Sequence, residues 1–332
     1  MGYLEVYKSW VDDRFFDEHT RKELKCITSE KEIEDRFYKE LEFGTGGLRE
    51  IMGAGTNRLN KYTVGKVTLG LGHYLLDTYG KDACIERGVV IGFDTRNNSK
   101  EYARVVADVL TGLGVRVYLM KDARPIPQLS FSVPYYKALA GVVITASHNP
   151  KEYNGYKVYD EFGCQLVPSQ ADRVIQYVNK VKDYHSIDFK GNDSLLTFID
   201  NTEEFVSEVY KQQRIKNEII KNNLNVVYTP LHGSGRIPVS MILKRDGFNC
   251  VELVKEQAND DGNFSTVKSP NPEDKEALTL GIELAKELNA DIVLGTDPDC
   301  DRVGIAVKDA NNEYKLLTGN QIGSLLMDFI IR

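Results

Sequence analysis

Four short, unbroken apolar runs govern what this chain can become: RGVVIGFD (87–94), GVVIT (141–145), NVVY (225–228) and DIVLG (291–295). Continuous Val/Ile/Leu runs of this length read as strands covered on both faces. The intervening stretches carry helical spacing. Strand alternating with helix predicts βαβ units and a mainly parallel sheet. The pattern occurs twice, over 45–200 and 205–310. For 332 residues, about 100–200 residues per domain gives two or so domains.

Further elements fit this frame. Trp10, Phe15 and Phe16, then Phe37, Leu41 and Phe43, mark apolar stripes of N-terminal helices. A helix is expected from about Thr63 to Tyr79, with Val64, Val67, Leu69 and Leu71 inward. Ser99 is expected to cap a helix through Leu113. VRVYLM (115–120) and VELV (251–254) read as further strands, and VGIAV (303–307) as a hairpin neighbour of 291–295. At 259–273 a long polar loop, NDDGNFSTVKSPNPE, interrupts the second block. Thr318 is expected to cap a helix bearing Ile322, Leu325, Leu326, Phe329, Ile330 and Ile331. Such a helix needs a partner surface, so it reads as the first helix of an absent domain.

Composition narrows the function. Lys and Arg number 42 against 49 Asp and Glu, a formal charge of −7. An acidic chain without a basic tail is a poor non-specific nucleic-acid binder. An anionic small substrate then needs a locally basic pocket. Cys26, Cys84, Cys164, Cys250 and Cys300 form no CxxC, which argues against a disulfide framework or zinc site. No signal peptide or run of 18 apolar residues is present. A soluble cytoplasmic protein is expected.

The densest chemical signal is GTDPDCDR (295–302). Asp297, Asp299 and Asp301 alternate, and an extended segment would send all three carboxylates to one side. A cation would neutralise them, and hard oxygen ligands favour Mg²⁺ or Ca²⁺ over zinc. An EF-hand fails, because Arg302 and Lys308 stand where Gly and Glu are required. Arg302 could hold a phosphate beside the metal. The alternative is a solvated acidic turn.

Other motifs are weaker singly. TASHNP (145–150) follows a strand, at the end where ligands gather in open α/β sheets. Ser147 is a candidate nucleophile; equally, Ser147 and Asn149 suit a turn. In FGTGGLR (43–49) Gly44, Gly46 and Gly47 permit close approach to an anion and Arg49 adds charge, or the segment is a tight turn. Lys157 of YNGYK (153–157) could neutralise phosphate or move a proton, or be simply solvated. HGSGR (232–236) is either an anion-friendly loop or a plain turn.

Taken in order, FGTGGLR, TASHNP, YNGYK and DPDCDR resemble the α-D-phosphohexomutase family of phosphoglucomutases and phosphomannomutases. FGTGGLREIMGAGTNRLNKYTV with SHNPKEYNGYKVY looks most like its bacterial phosphoglucomutase branch. The resemblance implies two consecutive three-layer α/β domains with mixed, mainly parallel sheets. Domain I would span 1–204 and domain II 205–312, with 313–332 opening a truncated domain III. The family's third and fourth domains, with their sugar- and phosphate-recognition loops, would be missing, so the chain reads as a fragment without full turnover. The implied reaction interconverts hexose 1-phosphate and hexose 6-phosphate, most readily glucose, through a phosphoserine at Ser147. Glucose 1,6-bisphosphate would be intermediate and activator. The resemblance makes Ser147, Lys157, His148 and Arg49 catalytic. Thr45, Gly46, Gly47 and Arg302 would bind substrate phosphate. Asp297, Asp299 and Asp301 would hold Mg²⁺ together with Ser147. The implied partners are a phosphosugar and the missing C-terminal domains, with no nucleic acid and no membrane.

Other readings stand beside this one. A phosphopentomutase or phosphomannomutase would share the motifs. The chain could be a non-catalytic two-domain module that binds Mg²⁺ and phosphate. A phosphatase-like enzyme would use a strand-end nucleophile, for which Asp94 in GFDTR is the candidate.

Overall fold

Three capped helices start the chain: Tyr3–Asp12, Glu18–Lys25 and Glu30–Phe37. Asp17 caps the second by accepting from the Thr20 N–H at 2.8 Å, which satisfies a donor the helix cannot. Their aromatic faces converge. Trp10 stacks on Phe16 at 4.1 Å between centroids and meets Phe37 and Tyr62 edge-on. Leu41 and Phe43, expected on a helical stripe, follow the last helix in non-helical backbone, and Phe43 joins the core of the first sheet instead. The computed structural model describes residues 2–44, 46–214 and 223–332.

The helix Lys61–Tyr79 is capped by Asn60, whose Oδ1 accepts from the Tyr62 and Thr63 N–H groups at 3.0 Å each. It is buried on every side from Tyr62 to Gly72, so the expected inner positions Val64, Val67, Leu69 and Leu71 are all interior. The helix packs against the helices Ser99–Gly112 and Pro168–Val178, and Tyr62 at its start joins the N-terminal aromatics.

That sheet contains β1 (Leu48–Ile51), β2 (Val89–Phe93), β3 (Val117–Met120), β4 (Ala140–Ile144), β5 (Tyr153–Tyr159) and β6 (Leu196–Ile199), in the order β1-β5-β4-β2-β3-β6. β2, β3, β4 and β6 run parallel; β5 is antiparallel to β4 and to β1. The second sheet contains β7 (Asn225–Thr229), β8 (Cys250–Leu253), β9 (Ile292–Thr296), β10 (Val303–Lys308) and β11 (Tyr314–Leu317), ordered β11-β10-β9-β7-β8. β7, β8 and β9 are parallel; β10 and β11 continue antiparallel. Helices cover both sheets, giving two α/β units with mixed sheets.

Several details differ from expectation. Ser99 does not cap its helix, Ser99–Gly112; Asn98 precedes it at φ 63°, and the Ser99 hydroxyl turns back to Asp94. β5 holds polar Asn154 and Lys157 on a fully covered strand, so the apolar-run criterion misses it. β11 lies beyond residue 312 and pairs with β10.

Thr318 does cap the helix Gly319–Ile331, in a reciprocal pair with Gln321. Ile322 is buried, while Leu325, Leu326, Phe329, Ile330 and Ile331 are exposed. Among the described residues, no helix is long and apolar enough to cross a membrane.

Candidate active site

β2 and β4 are parallel neighbours, so the loops leaving their C-terminal ends lie side by side. Asp94, directly after β2, ties them. Its Oδ1 accepts from the Arg96 N–H at 3.0 Å and Ser99 Oγ at 2.6 Å; its Oδ2 accepts from Thr145 Oγ1 at 2.6 Å. Asp94 is fully enclosed by these donors. It cannot serve as an attacking nucleophile, which removes the phosphatase-like reading.

Arg96 forms the inside of the serine loop. Nη1 donates to the carbonyls of Pro150 at 2.9 Å and Tyr153 at 3.2 Å, and Nη2 to those of Ser147 and Asn149. A guanidinium offers its donors in a planar fork, so one buried side chain gathers four carbonyls. Ser147 at φ 54° takes the sharp bend. Its N–H donates to Thr145 Oγ1 at 2.8 Å.

Ser147 Oγ thereby points across the cleft. It donates to Asp297 Oδ2 at 2.8 Å and lies 3.2 Å from His148 Nδ1. Asp297 follows β9, at the C-terminal end of the second sheet's parallel strands. Asp297, Asp299 and Asp301 present oxygens within 4.8 Å of one another, as expected from their spacing. The route differs, because the segment is a turn rather than an extended run, with Cys300 at φ 56° and its N–H bonded to the Asp297 carbonyl. Asp297 and Asp299 are buried and Asp301 is exposed.

Lys157, on β5 opposite Val143, reaches this turn rather than the serine. Its Nζ is 3.3 Å from Asp299 Oδ2 and 3.7 Å from Asp301 Oδ2. Arg302 contributes its backbone N–H to Asp297 Oδ1 at 3.0 Å. Arg49, opposite Gly155 on β1, donates from Nη1 to Asn149 Oδ1 at 3.0 Å. Burial lowers the His148 pKa, helped by the charges of Arg302 and Arg49, so the ring is neutral near pH 7.

The Gly turn is seated on β5. Gly44 and Gly47 exchange backbone hydrogen bonds at 3.0 and 2.9 Å. At Gly47, φ 89°, a Cβ would stand 2.2 Å from the Tyr156 carbonyl oxygen, so only glycine fits. Gly46 is exposed and its carbonyl accepts from Gln165 Nε2. Thr45 lies outside the described residues. In HGSGR the N–H groups of His232, Gly233 and Ser234 are all spent on backbone carbonyls, those of Gln257, Pro230 and Pro298.

The acidic cluster suits a hard cation. Burial, then the neighbouring Asp299 and Asp301, push the Asp297 carboxyl up to about 9. Burial also opposes ionisation of Asp299, but the Lys157 charge and hydrogen bonds from its neighbours hold it below its usual range. Asp299 Oδ1 is buried without any hydrogen-bond partner. An orphaned carboxylate oxygen in such a cluster costs free energy that a cation would recover.

Two family models match. Phosphoglucomutase/phosphomannomutase α/β/α domain I covers residues 40–185, and domain II covers 203–311. A phosphoglucomutase of Staphylococcus epidermidis is 40% identical over 327 residues, 98% of this chain and 59% of its own length. A phosphoglucomutase of Staphylococcus aureus is 40% identical over 307 residues, covering 91% and 55%. The crystal structure of a putative phosphomannomutase from Thermus thermophilus superposes with a TM-score of 0.66 at 25% identity, over 81% of this chain and 57% of that one. The chain thus spans somewhat over half the length of these relatives. With both domain models matched in order across the two sheets that form the site, the chain belongs to the phosphoglucomutase/phosphomannomutase family.

Proposed function

We propose that this chain carries the phosphoryl-transfer half of a phosphohexomutase that interconverts hexose 1-phosphate and hexose 6-phosphate, with glucose as the hexose. The observation that carries the reading is the 2.8 Å hydrogen bond from Ser147 Oγ to Asp297. It places a hydroxyl bent out of its loop against an acidic cluster suited to a cation. The matched relatives named phosphoglucomutase support glucose. Because the chain spans 59% of such a relative, we place full turnover with a longer chain.

In this reading phospho-Ser147 gives its phosphoryl group to the free hydroxyl of a hexose monophosphate. The sugar oxygen bonds to phosphorus as the Ser147 Oγ–P bond breaks. The proton leaving the sugar hydroxyl is balanced by one gained at Oγ. The resulting bisphosphate returns its other phosphoryl group to Ser147 by the same exchange. Such transfers depend on positioning and charge more than on covalent machinery. Asp297, Asp299 and Asp301, with an oxygen of Ser147, would hold Mg²⁺, which when bound neutralises charge on the transferring group. His148, neutral and 3.2 Å from Ser147 Oγ, holds and returns the proton at the serine end. Lys157 balances the charge of Asp299 and Asp301 and assists at the sugar hydroxyl. Thr45, Gly46, Gly47 and Arg302 bind substrate phosphate, and Arg49 acts with Ser147, Lys157 and His148 in the transfer.

The test is intact mass with peptide mapping before and after glucose 1,6-bisphosphate and Mg²⁺. One phosphoryl group on Ser147, absent in Ser147→Ala, is expected. Labelling that persists in the variant overturns the assignment. Magnesium binding without labelling would favour the non-catalytic module. Mannose or pentose bisphosphates labelling faster would move the substrate within the family.

A further inference from the structure

The serine loop is shaped from inside its own domain by Arg96, yet Arg96 itself rests on the second. The Phe264 ring lies under its guanidinium, with Cζ 4.9 Å from the ring centroid. Phe264 is buried at 1% exposure and held at φ 48°, a conformation that is strained for a bulky residue and persists only where surroundings enforce it. Five residues on, Ser269 Oγ donates to the His148 carbonyl at 2.8 Å. Close approach of this loop needs Gly262, where a Cβ would stand 2.5 Å from the Asn97 backbone nitrogen. Asn97 Nδ2 donates to Asn263 Oδ1. The polar stretch 259–273 is therefore a structured clasp on the other domain.

The clasp is held by the HGSGR turn. His232 is buried, with Nε2 2.8 Å from Thr266 Oγ1 and Nδ1 3.1 Å from the Asn259 carbonyl. The adjoining Ser234 donates from both Oγ and N–H to the carbonyl of Pro298, at 2.7 and 2.9 Å, inside the aspartate turn. One turn thus anchors both the acidic cluster and the loop that supports Arg96.

We propose that the 259–269 loop is a positioning clasp for the Ser147 loop: Phe264 acts through Arg96, Ser269 through the His148 carbonyl, and His232 sets the clasp in register with the aspartate turn. Its catalytic meaning rests on the reading of Ser147 above; its geometry does not. A cation over an aromatic face and a single hydrogen bond each shift a local equilibrium several-fold. That suffices to set how often a short loop opens locally.

The test is hydrogen–deuterium exchange of the full chain without phosphosugar, so the result stands whether or not Ser147 takes a phosphoryl group. Thr266 is exposed, and Thr266→Val keeps its shape but removes the hydroxyl that meets His232 and accepts from Gln257 Nε2. Exchange across 146–154 is expected to rise about fivefold, a loss of about 1 kcal/mol, while the 140–144 strand stays protected. Ser269→Ala is expected to act in the same direction, and Thr266→Ser to match the parent. Unchanged exchange in both Thr266→Val and Ser269→Ala overturns the proposal. So does a rise in Thr266→Ser equal to that in Thr266→Val, which would mark general loosening.

Discussion

Ser147 Oγ and Asp297 Oδ2 stand 2.8 Å apart although the two residues are 150 positions apart in the chain. The bond joins the loop after β4 to the turn after β9, so the hydroxyl of one domain and the carboxylates of the other form one electrostatic unit. A change at either residue is felt by both.

Asp297→Asn keeps an oxygen for Ser147 Oγ and removes the ionisable carboxyl. The Asp297 carboxyl is raised to about 9 in the fold. Its protonated form therefore contributes stability that is complete below its unfolded pKa and is lost as pH rises through about 9. The metal-free parent should lose Tm as pH rises from about 5 to 9, and the variant should lose less. Magnesium at a hundred times Kd adds about 2.7 kcal/mol to the parent, and the variant should gain less. Calorimetry at several pH values checks both; parallel pH slopes in the two proteins would refute the account.

Arg96→Lys retains a positive charge near Asp94 but not the planar fork that reaches four carbonyls. A loss of about 2–3 kcal/mol is expected, because buried carbonyls lose their donor. Urea unfolding measures this, and a change under about 0.5 kcal/mol, the range of ordinary surface substitutions, would contradict it.

Asp17 caps its helix and meets Lys61 at 2.7 Å. Partial burial opposes its ionisation, but hydrogen bonds and charge from Lys61 and the Thr20 N–H lower its pKa to about 2. A lowered carboxylate stabilises above its unfolded pKa of about 3.8 and loses that contribution as pH falls through about 2. With the group partly exposed and screened, Asp17→Ala should cost about 1 kcal/mol at pH 7. The difference from the parent should vanish below about pH 2, as read by thermal melts across the acid range.

Trp10 is 2% exposed, stacked on Phe16 and edge-on to Phe37, Tyr62 and Tyr184. Trp10→Ala should cost about 3–5 kcal/mol. A melting temperature close to the parent's would mean that the N-terminal helices are dispensable to the fold.

The motif order made the family and the acidic cluster legible, because FGTGGLR, TASHNP, YNGYK and DPDCDR are local strings. The strands were legible where both faces are apolar, as in β2, β4, β7 and β9. β5 was not, since its Asn154 and Lys157 are buried through bonds to Asn97, Ser99 and Asp299, residues far away in the chain. Arg96 and Phe264 were missed for the same reason. GFDTR after a buried strand pointed to a strand-end loop, but nothing local says its arginine turns inward under a neighbouring loop.

The sequence by itself determined the βαβ alternation, the helix cap at Thr318 and the clustering of Asp297, Asp299 and Asp301, all of which depend on residues within a few positions of one another. Only the tertiary structure decided that Ser147 faces Asp297, that Lys157 serves the aspartates rather than the serine, and that Arg96 lies between its own loop and Phe264. Those relations come from two sheets presenting the C-terminal ends of β4 and β9 to each other. Strand order and domain packing set that juxtaposition, and no run of adjacent residues encodes it.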